Sequence, residues 1–332
     1  RLENELPILD SAISTITDAG PIYRGVNAVA LSQTATLEQT ATLLWDANGA
    51  DPFAADNLPV LSPAMRAVLA ATRDETPLAR AGAVLALAAD ADPRAHNRSR
   101  DGRAALGARI MRLTAAAILN MAPSAAPLHK QIAKAWAPDP ARAEDFIRRA
   151  LVLLAEHELN ASTFALRVAA STGVSLYDAV LAGLAALKGP RHGGAGPLAA
   201  RFVAACADGD PALLIRERLA NGEYIPGFGH SVYKNGDPRA DDLLALLRKS
   251  GGQERFATEI PALVLEATGE HPNIDYAIAV HARVLGLPQN CEIALFAIAR
   301  TAGWAAHGIE QLKSRALIRP RARYTGPAPV RR

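Results

Sequence analysis

Two histidines in this chain stand in glycine-rich stretches: Arg191-His192-Gly193-Gly194-Ala195-Gly196 and Tyr224-Ile-Pro-Gly-Phe-Gly-His230. Glycine lets backbone approach a ligand closely, and imidazole titrates near neutrality, so two such loops suit proton transfer to or from a bound substrate. A single loop histidine is more often a solvated or structural residue, and the pair raises the catalytic reading only moderately. Other chemistries drop out on spacing. His157-Glu158 opens a zinc-protease pattern, but Ala161 occupies the place of the second histidine. Gly227-x-Gly229 has no strand before it and Val232 where a dinucleotide fingerprint needs its third glycine. Neither a Gly-x-Ser-x-Gly elbow nor a phosphate-binding Gly-Lys-Ser/Thr loop occurs. Cys206 and Cys291 are isolated, without Cys-x-x-Cys spacing, which points to no metal site and no disulfide scaffold and fits a reducing cytoplasm.

The elements that must position these loops read as helices. The first thirty residues lack helical periodicity and predict a short extended or hairpin-like start. Thr36-x-x-Gln39 is a capping box opening a helix to Trp45, and Ser62-Pro63 places a cap and a first-turn proline ahead of Met65–Thr72. Apolar periodicity predicts further helices over Leu78–Ala89, Gly102–Leu119 and Ala143–Glu156. Ser175-x-x-Asp178 starts a helix through Leu187, which Lys188-Gly189-Pro190 ends, so His192 falls in a helix–helix connection before an apolar run to Cys206. Asp210-Pro211 opens a helix that stops at Asn221-Gly222, leaving His230 in a second connection before Asp237-Pro238 begins another helix. A long helical run covers about Gln289–Lys313, followed by a basic tail, Arg315–Arg332, with little periodicity.

With 332 residues the chain is long enough for two lobes and a cleft, and it is half apolar but only 5% aromatic, which favours close-packed helices over sheets. No repeat and no strand–helix alternation appears. The longest apolar stretches, Ala81–Ala89 and Ala179–Leu187, are well short of the roughly 18 residues of a membrane span. A net charge of +3 suits anionic substrates but is too small to argue for nucleic acid. No leader pattern is seen, and because the first residue is Arg1 further residues upstream are expected.

Six segments in order carry a resemblance. Glu156-His-Glu-Leu-Asn-Ala-Ser-Thr, Leu187-Lys-Gly-Pro-Arg-His-Gly-Gly, Ile225-Pro-Gly-Phe-Gly-His with Asp237-Pro-Arg239, Asn273-Ile-Asp-Tyr276, Phe296-Ala-Ile-Ala-Arg300 and Ile318-Arg-Pro320 resemble the citrate synthases, from about Ser11 to Gly326. The resemblance implies an all-α, two-domain fold: a large helical domain from residues 1–194 and 288–332, an inserted small helical domain over 195–287, and an active site in the cleft. It implies condensation of acetyl-CoA with oxaloacetate and water to give citrate and CoA, with no tightly bound cofactor and no metal. By that resemblance Asp275 takes a proton from the carbon beside the thioester, His192 stabilises the enol, and His230 donates to the ketone oxygen. Read without it, Asp275 is a helix cap or first-turn acid after Pro272-Asn273.

His157, Arg239, Arg300 and Arg319 fall at the family's dicarboxylate-binding positions, and planar guanidinium groups suit carboxylates. Arg300, on a helix among Ala, Ile and Phe, needs either an internal carboxylate or a substrate. The resemblance further implies a homodimer in which Arg319 reaches the neighbouring subunit's site; otherwise Arg319, Arg321 and Arg323 form an ordinary basic tail, as Arg331 and Arg332 are expected to do. The backbone of Ile225, Pro226, Gly227, Phe228 and Gly229, with Lys234 nearby, resembles the CoA-binding region. Two departures stand out: Arg191 replaces an apolar residue and should favour a neutral His192, and Gly196 replaces an Asn. The alternatives are a 2-methylcitrate synthase using propionyl-CoA, a non-catalytic acyl-CoA or dicarboxylate sensor, and a helical scaffold dimer.

Overall fold

The computed structural model of the protein describes residues 9–314 and 316–327. Pro7 and Ile8 of the expected extended start, and Arg331 and Arg332, lie outside the described residues. The described chain begins with a small antiparallel meander of β1 (Ser14–Thr17), β2 (Gly20–Tyr23) and β3 (Val26–Asn27), in which Ser14 pairs with Tyr23 and Ile22 with Asn27. The hairpin-like start is therefore present.

Fifteen α-helices come after it among the described residues: α1 (Ala28–Ser32), α2 (Leu37–Leu44), α3 (Pro63–Ala71), α4 (Pro77–Ala91), α5 (Arg100–Leu119), α6 (Leu128–Trp136), α7 (Pro140–Leu154), α8 (Ala161–Ser171), α9 (Leu176–Leu187), α10 (Ala195–Asp208), α11 (Pro211–Ala220), α12 (Pro238–Ser250), α13 (Ile260–Thr268), α14 (Ile274–Val284) and α15 (Cys291–Ser314). A π-helical turn, Arg255–Glu259, leads into α13. The start signals in the sequence operate in the fold. Thr36 and Gln39 exchange both bonds of the capping box, Ser62 caps α3 ahead of Pro63, and Ser175 caps α9.

Helix α15 is the axis of the larger body. It packs on α2, α5, α7, α8 and α9, and is buried on almost every side, with Trp304, Ala297 and Ile298 fully enclosed. Small residues dominate these contacts, so helices approach closely and the core is knit by alanines with a few large rings. The indole of Trp45 donates to the Ala302 carbonyl at 2.9 Å, tying α2's end to the middle of α15. Helices α10 to α14 pack chiefly on one another, with α14 lying against both α10 and α12. Contacts from α12 to α7 and from α14 to α15 join the two groups, and the cleft opens between them.

The meander anchors one wall of that cleft. Tyr23 is fully buried, and the single proton of its hydroxyl lies between two acceptors, the carbonyls of Val152 and Glu156, each 3.0 Å away at or just beyond the end of α7. Ser14 adds a bond of 3.0 Å to the Glu156 carboxylate, which also accepts from His307 at 3.0 Å. The residue that emerges next from this fixed end is His157.

Candidate active site

The three candidate catalytic side chains stand in loops or at a helix start, whereas Arg300 projects from within α15. After α9 the chain turns tightly through Gly189–Gly194, with His192 N donating to Gly189 O at 3.0 Å and Gly193 N to Leu187 O at 3.0 Å. A side chain at Gly193 would run into the Leu187 carbonyl and come within 2.9 Å of Ile293 Cδ1, so only glycine lets the turn seat against α15. Asp275 stands in the first turn of α14, whose cap Asn273 accepts from Asp275 N at 3.0 Å. What reads in the sequence as a capping-region acid thus has its cap supplied by Asn273, which frees the carboxylate for the cleft. His230 leaves the second glycine-rich loop two residues after the Phe228–Pro272 bridge that pins that loop to the start of α14.

His192, His230 and Asp275 line one cavity of about 440 Å³ together with His157, Arg239 and Arg300. The six residues come from segments up to 143 positions apart, from His157 to Arg300. Arg319 is exposed, in the non-helical segment after α15, and does not line this cavity. Ile225, Pro226 and Phe228 are buried, with the Phe228 ring 4.7 Å from that of Tyr276. Gly227 O and Gly229 N are bonded to Asn273 N and His271 O, and none of Ile225–Gly229 lines the cavity. Lys234 is exposed.

The three cleft histidines are held neutral. Burial, and then the Arg300 charge, push His192 down to about 4. Arg191 was expected to favour the neutral ring, but it is exposed; the cation that acts on His192 is Arg300, which is buried and so poorly screened. His157 lies far below the ordinary histidine range through burial and the Arg239, Arg300 and His230 charges. His230 is lowered by burial and by Arg239, opposed by Asp237. Its Nδ1 accepts from the backbone of Val232 at 3.0 Å and Tyr233 at 3.3 Å, so the neutral ring carries its proton on Nε2 and is a fixed donor.

His192 Nε2 lies 2.8 Å from Ser162 Oγ, which also accepts from the Trp304 indole at 3.2 Å and lies 3.0 Å from Asn160 Oδ1. The single hydroxyl proton has two acceptors. Given to His192 Nε2, it leaves the ring proton on Nδ1 for a substrate oxygen. Asp275 is the counterpart: burial pushes its carboxyl up to about 6, opposed by Arg239 and reinforced by Asp237. A carboxylate so poised is ionised at neutral pH yet basic enough to take a proton.

The two arginines differ. Arg239 is clamped by Asp237 through Nε–Oδ1 at 2.9 Å and Nη2–Oδ2 at 2.8 Å, and stacks 5.2 Å over the Tyr233 ring. Burial works against its charge, but the Asp237 pair more than offsets this and raises its pKa. Arg300 has no carboxylate within ion-pair distance among the described residues. Its Nε donates to Leu154 O at 2.9 Å, its guanidinium lies 4.4 Å over the Phe296 ring, and its buried Nη1 makes no hydrogen bond. Burial lowers its pKa to about 10. The nearest compensation is the buried Glu156 carboxylate, which favours the Arg300 charge without reaching ion-pair distance.

Sequence reasoning passed over Ser162, Tyr233, Asp237 and Glu292. Asp237 was legible as the start of α12 and within the Asp237-Pro-Arg239 segment, but not as the partner of Arg239; Tyr233 holds His157 Nε2 at 3.1 Å. No signal short of the fold places Ser162, on α8, beside His192. No group of three or more His, Cys, Asp or Glu that could hold a metal ion occurs among the described residues.

A family model described as "Citrate synthase, C-terminal domain" matches residues 3–321. The chain belongs to the citrate synthase family. Among curated relatives, the citrate synthase 2 of Bacillus subtilis is 40% identical over 197 residues, 57% of this chain and 53% of that protein. The 2-methylcitrate synthase 2 of Corynebacterium glutamicum is 38% identical, with 57% of this chain and 51% of that protein covered. The matched part of the chain thus spans about half the length of these relatives. The structure of Thermoplasma acidophilum citrate synthase in ternary complex with carboxymethyl coenzyme A and oxaloacetate is similar over 99% of this chain and 96% of that one, with a TM-score of 0.78 and 27% identity. The all-α citrate synthase fold expected from the sequence is the fold observed.

Proposed function

We propose that this citrate synthase family member condenses an acyl-CoA with oxaloacetate, releasing CoA by hydrolysis of the thioester formed. The observation that carries the reading is the convergence, in one cleft, of a base with raised pKa, two neutral imidazoles and an unpaired buried guanidinium. Asp275 removes a proton from the acyl carbon while the Nδ1–H of His192 supports the thioester oxygen as it gains enolate character. The enol carbon attacks the ketone carbon of oxaloacetate, and Nε2–H of His230 stabilises the developing alkoxide. Arg300, with Arg239 and His157 beside it, holds the oxaloacetate carboxylates. Water then cleaves the thioester to give the tricarboxylate and free CoA.

The group α10–α14 is read as the small domain, 195–287, closing on the larger body of 1–194 and 288–332 and excluding water from the enol. Ile225–Gly229 and Lys234 are assigned to CoA, the backbone loop against the thioester arm and the exposed lysine toward the phosphates. Arg319 is assigned to the site of a partner subunit in a homodimer, a role supported by its exposure on a non-helical arm. The free thiols Cys206 and Cys291 support a cytoplasmic setting. Among the described residues no helix is long and apolar enough to cross a membrane.

Free-thiol release from acetyl-CoA or propionyl-CoA on addition of oxaloacetate, lost in Asp275→Asn, is the test. No release with either donor would refute the condensation and leave the cleft as a dicarboxylate sensor, which oxaloacetate binding without turnover would reveal.

A further inference from the structure

Glu292 lies in the cleft wall, in the first turn of α15, and takes no part in the chemistry above. It is 6% exposed, its Oε2 is buried without a hydrogen bond, and it makes no ion pair among the described residues. Across from it is Gly196. A Cβ at that position would come within 2.8 Å of Glu292 Cβ and 3.7 Å of Asp275 Oδ1. The missing side chain at 196 is what lets the Glu292 side chain settle beside the base, so the two carboxyls share one corner of the cleft.

On the condensation reading, that corner adjoins the acyl carbon. The carbon that yields its proton to Asp275 has to approach the carboxylate to roughly 3–3.5 Å, which puts any alkyl group on that carbon within reach of Glu292. We infer, resting on the condensation reading, that Glu292 is the acyl-specificity residue of this cleft, admitting a two-carbon acyl thioester and excluding longer alkyl acyl thioesters. A hydrogen on the acyl carbon leaves room beside the carboxyl. A methyl there presses an apolar group on a buried polar one that already lacks a hydrogen bond and closes it off from any other partner. Burial and the nearby Asp275 charge both raise the Glu292 pKa, and in either protonation state the acyl carbon meets a planar polar group of one shape. An amide of the same shape should therefore do the same work, whereas a small apolar side chain should not.

The test is kcat/KM for acetyl-CoA and for propionyl-CoA, with saturating oxaloacetate, in the wild type, Glu292→Gln and Glu292→Ala. The wild type is expected to prefer acetyl-CoA. Glu292→Ala should move the ratio toward propionyl-CoA by about tenfold or more, the range one methylene commands in a pocket. Glu292→Gln should hold the wild-type ratio. KM for oxaloacetate should be unchanged in both. A wild type that prefers propionyl-CoA, an unchanged ratio in Glu292→Ala, or an equal shift in Glu292→Gln overturns the role of Glu292 while leaving the condensation standing. Absence of thiol release from the wild type overturns the condensation, and the specificity role with it.

Discussion

Replacing Arg300 with Met should separate binding from stability. Arg300 is 1% exposed, and burial lowers its pKa to about 10. That shift corresponds to roughly 3 kcal/mol against the charged form in the folded state. The sign is fixed by the reference: unfolded Arg300 is hydrated and charged, so at neutral pH the folded protein carries this cost. Met removes it and keeps most of the packing against Phe296, but leaves the Leu154 carbonyl without its 2.9 Å donor, worth about 1–3 kcal/mol. The terms nearly cancel, and apo stability should change by no more than about 2 kcal/mol. Oxaloacetate binding should not survive. Truncating one partner of a buried charge pair costs about 2–5 kcal/mol, a loss of roughly 30-fold to more than a thousandfold in affinity. Calorimetric titration with oxaloacetate, and thermal unfolding with and without it, read the two quantities separately. A Kd within threefold of wild type, or an apo protein destabilised by more than about 4 kcal/mol, would show that Arg300 is a structural cation and refute the reasoning.

The same geometry sets other outcomes. kcat/KM should rise with pH through about 6 as Asp275 ionises, and flat activity between pH 5 and 7 would remove it as the base. Asp275→Asn should abolish turnover and retain oxaloacetate binding. It should also raise Tm near pH 8 but not near pH 3, because a carboxyl whose pKa is raised on folding costs stability only above its unfolded pKa of 3.8. Ser162→Ala should lower kcat by about 10- to 100-fold with KM for oxaloacetate unchanged, since it loosens the His192 tautomer and leaves the Trp304 indole unpaired; an unchanged kcat would remove the serine from that role. If Arg319 serves a partner's site, mixing inactive Asp275→Asn with Arg319→Ala protein and allowing subunit exchange should restore about a quarter of wild-type activity, because half of the dimers regain one intact site. No recovery would place Arg319 in its own subunit's site, and Arg319→Ala protein active by itself would place it outside the site.

Most of the local structure was legible in the chain alone. Caps at Thr36, Ser62 and Ser175, the Asp-Pro helix starts and the Gly189-Pro190 stop are local chemistry, and they set the same boundaries in the fold within a few residues. Helices α6 and α13 have no side-chain cap, and α8 has only Asn160 at its start. α8 reads Ala-Ser-Thr-Phe-Ala-Leu-Arg-Val-Ala-Ala-Ser, with hydroxyl and β-branched residues that compete with helical structure, and it is helical because it packs against α9 and α15. The site divides the same way. His192 and His230 were legible because glycine-rich loops announce themselves, and Asp275 through the motif around it. It took the packed fold to show that Arg239 is already paired with Asp237 while Arg300 is not, that backbone amides fix the His230 proton on Nε2, and that Glu292 fills the space left by Gly196 beside the base. Capping and turn formation are decided within a few residues along the chain. The charge and protonation state of a buried group are decided by desolvation and by whichever groups, from anywhere in the sequence, are folded against it.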